Sequence, residues 1–548
     1  MSLTADGQET ESLKDSTIKP QYVTPDGQPN VALLQDRTPA WLRSSAATAG
    51  LTFVLGIVFI FSSVLPVWHT DLWGHLNYGR WIVTHGTVPT VEPTLPLAKG
   101  VPFVDLPWLS QVLGYTMISR FGIAGIQFLN GLGIATVAGL LMFGVFRRTR
   151  NVGAALVTLL AFYWGSYQQI LVVRPQLAGM VCFAVVFMMV TAPQWKRWFP
   201  LAIAAVFAVW ANVHGSFIVG LAMLGAMLTG RIVDVLLRTK ELKFVFAETK
   251  IRGLLLALEL SALAVLLNPY GIGAYAEVFA VSGNLNLQSL IEWDPLTLRM
   301  KQGRAAFCLA AGLFILYRFS PRRVTVGELL LLGGLSFGML WHSRMIVWWA
   351  PVVAYYLGLH LAAVWRHLRH ATPPVRREGG LWTVVTVGIL WIAFAYSPFG
   401  VRVIQGPPKD QDAVLKQFRR VVSPLTPIDV AGYLRRNPPV GMVFNPYEWG
   451  DYLQWAGPKE MQIYVNSHAH LIPTEVWRDY LNIVHTGTNW QEKLDRYSIQ
   501  TVIASKLEQK DLVAAMESLE GWEKKYSDSK GIIFVRKPQS TPAATAAH

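Results

Sequence analysis

Cysteine is nearly missing: the 548 residues hold two, Cys182 and Cys308. Both lie inside apolar runs, so neither a disulfide framework nor a zinc-ligand spacing is available. Charge is equally sparse. Only 15% of residues are charged, against 52% hydrophobic, where a soluble domain carries about a quarter charged residues. No P-loop, dinucleotide-binding glycine fingerprint or nucleophile elbow stands in a suitable context, which leaves nucleotide-driven chemistry and serine hydrolysis without a foothold. Acids are the scarcer charge, 34 Asp and Glu against 48 Lys and Arg, for a net charge of +14. In a membrane chain that excess collects in cytoplasmic loops, so no nucleic-acid partner is implied.

What is abundant is apolar sequence, with a mean hydropathy of +0.34. Runs long enough to cross, or nearly cross, a hydrocarbon core fall at 46–66, 123–146, 152–171, 175–193, 199–213, 215–235, 252–268, 304–318, 325–341, 344–364 and 381–398, about eleven spans. The weakly apolar stretch from Trp108 to Arg120 reads as a helix along the membrane surface. Residues 1–40 are polar and read as a disordered cytoplasmic tail. No short signal peptide precedes the first run, which is long enough to remain as an anchor. Alternate loops carry Arg147-Arg148-Thr149-Arg150, Lys196-Arg197, Arg238 to Arg252, Arg318 to Arg323, and Arg366 to Arg377. By the positive-inside rule those loops are cytoplasmic, as is the N-terminus. An odd number of spans then puts the C-terminal part outside the inner membrane.

The remaining architecture follows from this frame. A membrane domain at 41–400, with a first outer loop at 67–122, is followed by a polar, proline-bearing connector at 401–439. Residues 440–536 alternate strand and helix patterns and read as an independent soluble α/β unit on the periplasmic side. Strands are expected at Val440–Phe444, Gln462–Val465, Ile499–Ala504, Glu523–Tyr526 and Ile532–Arg536. A low-complexity tail, 537–548, reads as disordered. The fold class is thus a helical polytopic membrane protein with a C-terminal soluble α/β domain.

Ionisable groups beside a membrane need a partner or a task. The densest group is Trp68-His69-Thr70-Asp71-Leu72-Trp73-Gly74-His75-Leu76, continuing through Gly79, His85-Gly86 and Pro89 to Asp105-Leu106-Pro107-Trp108. Asp71 suits a general base, and equally suits the N-cap of a helix starting at Leu72. His75, one turn on, shares its helical face. The pair is half of a possible divalent-metal site that Glu92 or Asp105 would complete, though a hydrogen-bonded interfacial histidine is the simpler reading. On the same face fall Arg174-Pro175-Gln176, Asn212-Val213-His214-Gly215, Asn268-Pro269-Tyr270-Gly271, Glu292-Trp293-Asp294 and His342-Ser343-Arg344. Lone arginines on the poorly basic side, Arg174 and Arg344, either snorkel to headgroups or hold an anion. Glu292 and Asp294 read as a solvated loop. Asn466-Ser467-His468-Ala469-His470 reads as a strand-to-helix loop.

The D-L-W-x-H-L…G…I…G…P setting of Asp71 resembles bacterial polytopic glycosyltransferases of the GT-C class, of the kind that use dolichyl- or polyprenyl-phosphate sugars. Trp210 to Phe217 and Asn268 to Gly271 resemble motifs of the same family, and the likeness runs over nearly the whole chain after residue 40. The resemblance implies an inverting transferase moving a sugar from a polyprenyl-phosphate-linked donor to a glycan, lipid or protein acceptor on the outer face. It implies Asp71 as catalytic base, with Glu92 and Asp105 as further acids of the site. His75, Arg174, His214, Tyr270 and Arg344 are the substrate-binding candidates. No cofactor is required beyond a possible divalent metal ion. Asn445 to Leu453 is faintly similar to the W-W-D-Y-G signature of oligosaccharyltransferases, but reads Glu-Trp-Gly-Asp-Tyr at its centre. Oligosaccharyltransferase-like protein glycosylation is one alternative; a non-catalytic assembly or transport protein is another.

Overall fold

The computed structural model describes residues 36–538 except His69, 370–377 and Lys409, together with residues 24, 26–28 and 30. Most of the tails at 1–40 and 537–548, and the loop arginines 376 and 377, lie outside the described residues. Within the first of these stretches, residues 36–40 are anchored, with Asp36 accepting hydrogen bonds from the Thr38 and Gly380 N–H groups.

Every one of the apolar runs is a helix. In chain order the N-terminal half holds α1 (Ala46–Ser63), α2 (Leu72–His85), α3 (Trp108–Phe121), α4 (Ile123–Thr149), α5 (Val152–Leu171), α6 (Gln176–Val190), α7 (Phe199–Val213) and α8 (Phe217–Thr239). Then follow α9 (Leu242–Ala247), α10 (Thr249–Val265), α11 (Gly273–Ser282), α12 (Lys301–Phe319), α13 (Val326–Trp341), α14 (Ile346–Arg369) and α15 (Gly380–Tyr396). Four helical segments, Ala46–Ser63, Ile123–Thr149, Phe217–Thr239 and Ser343–Arg369, are each long and apolar enough to cross a membrane alone. The bent pair of α15 and α16 (Pro398–Gln405), turned by 80° at Ser397, meets the same test together. The shorter helices α6, α7 and α13 stop at 15–16 residues. Breaks at Pro175, at Asn212 to His214 and at His342-Ser343 bound them, and broken backbone at membrane depth is tolerated where it is buried in protein or lines a cavity.

Packing makes a single bundle. α14 is its axis, burying Trp348, Trp349 and Tyr355 against α5, α4 and α12. Small residues set the closest crossings, as expected where dispersion rather than hydrophobicity drives helix association. At Gly230 of α8 an added Cβ would lie 2.2 Å from the Gly327 Cα of α13. The polar breaks gather at one end, where the Trp108 Nε1–H donates to Asn212 Oδ1 at 2.7 Å and the Asn268 amide donates to the Ala211 carbonyl at 2.7 Å. The basic loops gather at the other, where the Arg366 guanidinium donates to the Thr149 carbonyl at 2.9 Å and Arg148 donates to that of Thr191.

The polar connector contains two helices of its own. It folds as α17 (Gln411–Val421) and α18 (Ile428–Arg436). Its prolines at 407, 408, 424, 427, 438 and 439 stand outside the helices and bound them. Arg419 of α17 grips Asp429 of α18 with two hydrogen bonds, one at 3.0 Å.

Beyond it lies a five-stranded mixed sheet of β1 (Met442–Phe444), β2 (Gln462–Ile463), β3 (Ile499–Ser505), β4 (Trp522–Ser527) and β5 (Gly531–Arg536). The spatial order is β2-β1-β3-β5-β4, parallel across β2, β1 and β3 and antiparallel across β3, β5 and β4. Helices α19 (Tyr447–Ala456), α20 (Thr474–Val484), α21 (Trp490–Arg496) and α22 (Lys510–Glu517) complete the layer.

The sheet does not close its core within its own residues. One cluster joins Phe444, Ile463 and Trp477 to Leu95, Ala98 and Leu287. A second joins Val443, Tyr452 and Ile503 to Leu72, Trp73, Leu76 and Ile126. Trp73, with no exposed surface, has its ring 5.1 Å from Tyr452, 5.8 Å from Phe418 and 6.0 Å from Trp455. The independence expected from the alternating pattern therefore gives way to a shared core. A fragment of residues 400–548 should show no cooperative melt by circular dichroism. Removing a buried Trp alone costs about 3–5 kcal/mol, a large share of a domain's total of roughly 5–15 kcal/mol. A sharp unfolding transition in the fragment would show the sheet to be self-sufficient.

Candidate active site

Asp71 occupies the position before α2 with φ +47°, and its side chain makes no capping hydrogen bond. A left-handed φ is costly for a residue with a Cβ and persists only where surrounding structure holds it. Here the carboxylate turns away from the helix start and forms an ion pair with Arg174. The cap expected as one reading of Asp71 is not made.

Arg174 comes from the break between α5 and α6, immediately before Pro175, whose fixed φ starts α6. Its Nη1 donates to Glu292 Oε2 at 2.6 Å. The other Glu292 oxygen lies 3.6 Å from the Nη1 of Arg344, whose guanidinium stands 4.7 Å over the Trp293 ring. Four charges thus alternate in a row: Asp71, Arg174, Glu292, Arg344. They come from four separate stretches of the chain and keep side-chain exposures of only 21–32%. The break between α13 and α14 fixes the far end. The Ser343 hydroxyl donates to the Glu292 carbonyl at 3.1 Å, the Ser343 N–H to the Asp294 carbonyl at 2.8 Å, and the His342 ring to the Trp293 carbonyl at 2.8 Å.

Burial and charge pull the two acids apart. Burial raises the Asp71 pKa; Arg174 opposes the rise and Glu292 adds to it. Burial would raise Glu292 too, but Arg174 and then Arg344 outweigh it and hold that carboxyl below its usual range. An acid moved up and an acid moved down, joined by one arginine, is a pattern found at functional sites.

The C-terminal domain supplies the roof. Gly74 exists to admit it: an added Cβ there would lie 2.6 Å from Asp451 Oδ1 and 2.9 Å from His468 Cε1. Asp451 is buried, and burial foremost, with the Asp71 charge adding, pushes its pKa to about 8. The rings of His75 and His468 meet edge-on at 5.1 Å, and His470 lies 5.8 Å beyond. Burial, with Arg174 adding, lowers His75 to about 3; burial, with Arg344 adding, lowers His470 to about 4. His214, between α7 and α8, is lowered to about 3 by burial and by Arg344. Burial thus disfavours the charged imidazolium at each of these positions.

The other anticipated residues build the frame. Glu92 is buried and saturated, accepting from the Tyr78 hydroxyl at 2.6 Å, the Thr94 N–H at 2.6 Å, the Thr94 hydroxyl at 2.7 Å and the Leu95 N–H at 2.9 Å. Asp105 accepts from Gln111 Nε2 at 2.7 Å, and burial raises its pKa to about 8. Tyr270 donates its hydroxyl to the Pro89 carbonyl at 2.8 Å, tying the 268–271 break to the first loop. Gln111 also stands 3.3 Å from His75 Nδ1, between the His75 and Asp105 that a metal site would have to bring together. Among the described residues no three His, Cys, Asp or Glu side chains could hold one ion, so the donor set does not fit the divalent metal considered from the sequence.

The structure therefore joins Asp71, Arg174 and Arg344, with His75 and His214 beside them, through a residue that read as solvated loop. Glu292 had one sequence signal, its place among the polar breaks of the same face. Asp451 and His470 had weaker ones, since nothing in the spacing of a distant domain says which membrane-side helix it covers.

A helical multi-pass bundle, an acid just after the first span and a C-terminal sheet domain over it define a class: the chain has the fold of a GT-C membrane glycosyltransferase. The particular likeness is to ArnT. A crystal structure of ArnT from Cupriavidus metallidurans bound to undecaprenyl phosphate matches with a TM-score of 0.52 at 14% identity, over 90% of this chain and 99% of that one. The same protein in its apo state matches with a TM-score of 0.52 at 14% identity, over 89% and 98% of the two chains. At such identity the likeness is one of fold. No family model matches the sequence, and neither does any curated protein.

Proposed function

We propose that the protein is an inner-membrane glycosyltransferase that moves a sugar from a polyprenyl-phosphate-linked donor to an acceptor on the outer face. The observation that carries the reading is the row Asp71–Arg174–Glu292–Arg344 beneath the sheet domain. Asp71 takes the proton of the acceptor hydroxyl as its oxygen attacks the anomeric carbon; the bond to phosphate breaks on the opposite side, which inverts the centre. Burial moves the Asp71 pKa up, which makes it a stronger base than a free carboxylate. The leaving polyprenyl phosphate gains charge as the bond breaks, and two guanidiniums placed beforehand meet it. Glu292 keeps the arginines apart and oriented until the phosphate competes for Arg344, whose contact with it is the longer one. The basic loops favour a cytoplasmic N-terminus and an outer sheet domain. Activity reporters fused after Arg150 and after Lys537 test that orientation.

The functional test uses the full chain in proteoliposomes with a synthetic polyprenyl-phosphate sugar, following release of polyprenyl phosphate. Arg344→Lys keeps the charge but loses the paired donors, so turnover should fall by roughly 10- to 100-fold, short of the 100- to 1,000-fold loss typical when a preorganised donor is removed outright. Unchanged donor affinity and turnover would take Arg344 out of the site.

A further inference from the structure

One cavity lies away from the charge row. A groove of about 1560 Å³ runs along the bundle, from Phe128 and Phe394 to the basic loops at the end away from the site. Its walls are the membrane-facing sides of α1, α4 and α15, among them Phe59, Leu132, Phe143 and Leu390, and glycines at 56, 139 and 144 hollow its floor. One end carries four cations, Arg147, Arg148, Arg150 and Lys196, and no Asp or Glu lines any part of it. Arg148 is committed to the Thr191 carbonyl and stands over the Tyr355 ring. Arg147 and Lys196 are exposed and Arg150 half-exposed.

We infer that this groove is a second lipid site, filled by an anionic phospholipid with its phosphate at the basic end and its chains along α4. A chain-lined slot closed by cations alone complements an amphiphile with one negative head. Basic pockets between helices on the cytoplasmic side bind anionic headgroups in this way. The loops at that end are the basic ones that orient the protein, so the groove opens to the leaflet that holds such lipids. The occupant is distinct from the donor, whose phosphate belongs at the other end of the bundle.

Native mass spectrometry of the full chain in detergent tests this, by titration with dioleoyl-phosphatidylglycerol, dioleoyl-phosphatidylcholine, polyprenyl phosphate and inorganic phosphate in separate arms. Phosphatidylglycerol should bind at least tenfold more tightly than phosphatidylcholine. Arg147→Gln, Arg150→Asn and Lys196→Gln together should weaken it on the order of 100-fold, each surface cation being worth about a fivefold step. Asn suits position 150, where φ is +57°. Thr136→Trp, which fills the slot and leaves the cations alone, should also displace the lipid without moving the melting temperature. Equal retention of both phospholipids, or retention by both variants, would overturn the site. Preferential capture of polyprenyl phosphate, or binding of inorganic phosphate alone, would overturn the choice of occupant. A failed transfer assay leaves these results untouched, which separates the lipid site from the proposed activity.

Discussion

Asp71→Asn should lower transfer by about 100- to 10,000-fold, the usual loss when a positioned base is removed, while the protein inserts and melts as the wild type does. Two features separate chemistry from folding here. The Asp71 side chain caps nothing, so no helix stability rides on its charge. Asparagine has the size and shape of aspartate, so at the φ of +47° that the surroundings impose it makes no new steric demand on the backbone. Arg174 loses one partner and keeps Glu292 at 2.6 Å. The measurement is release of polyprenyl phosphate from reconstituted protein, set beside a melting curve of the same preparation. Full transfer with an unchanged melt would remove Asp71 as base. The search would then move to Asp451, the other carboxyl at the site whose surroundings raise its pKa, and next to Asp105. Glu92 would follow last, because four hydrogen bonds already engage it.

How much of this was legible beforehand depended on the range of the forces involved. Apolar runs report burial in hydrocarbon residue by residue, so the long helices between 46 and 396 could be read from sequence, as could the strands at 499–505 and 531–536, while the short α9 and α11 could not. Loop charge reports which breaks share an end, and that brought Asp71, Arg174, His214 and Arg344 to one face. Pairing across that face is tertiary. Nothing local distinguishes Glu292, which bridges two arginines, from Glu92, which saturates a turn of its own loop. The connector's helices were not assigned from sequence for a local reason: α17 and α18 are short, polar segments between prolines, without a long apolar run to mark them. The shared core was hidden because Trp73 reads as an interfacial tryptophan until Tyr452 and Trp455 are seen against it.

Arg174→Gln should damage both activity and stability, and its stability cost should depend on pH in a way that packing loss cannot imitate. The wild-type arginine faces two carboxylates. Breaking a buried pair costs about 3–5 kcal/mol, and exposures of 21–32% discount that to roughly 2 kcal/mol at neutral pH. The sign follows from each acid. Glu292 in the folded wild type lies below its ordinary 4.5, so its contribution is fully present above that value and is lost as pH falls through the lower folded one. Without Arg174, burial governs both groups: Glu292 loses much of its depression, and Asp71, already raised, moves further up. Each then costs stability above its folded pKa and relieves that cost when protonated. Wild-type and variant melting temperatures should therefore differ most at pH 8 and draw together towards pH 5. Transfer should fall about 100- to 1,000-fold, as for loss of a preorganised donor. Adding Glu292→Gln should recover melting temperature at pH 8 while leaving transfer low, because the substitution removes a carboxylate but restores no cation for the departing phosphate. A melting difference that stays constant from pH 5 to pH 8 would reduce Arg174 to a packing residue and dissolve the charge row as the basis of the site.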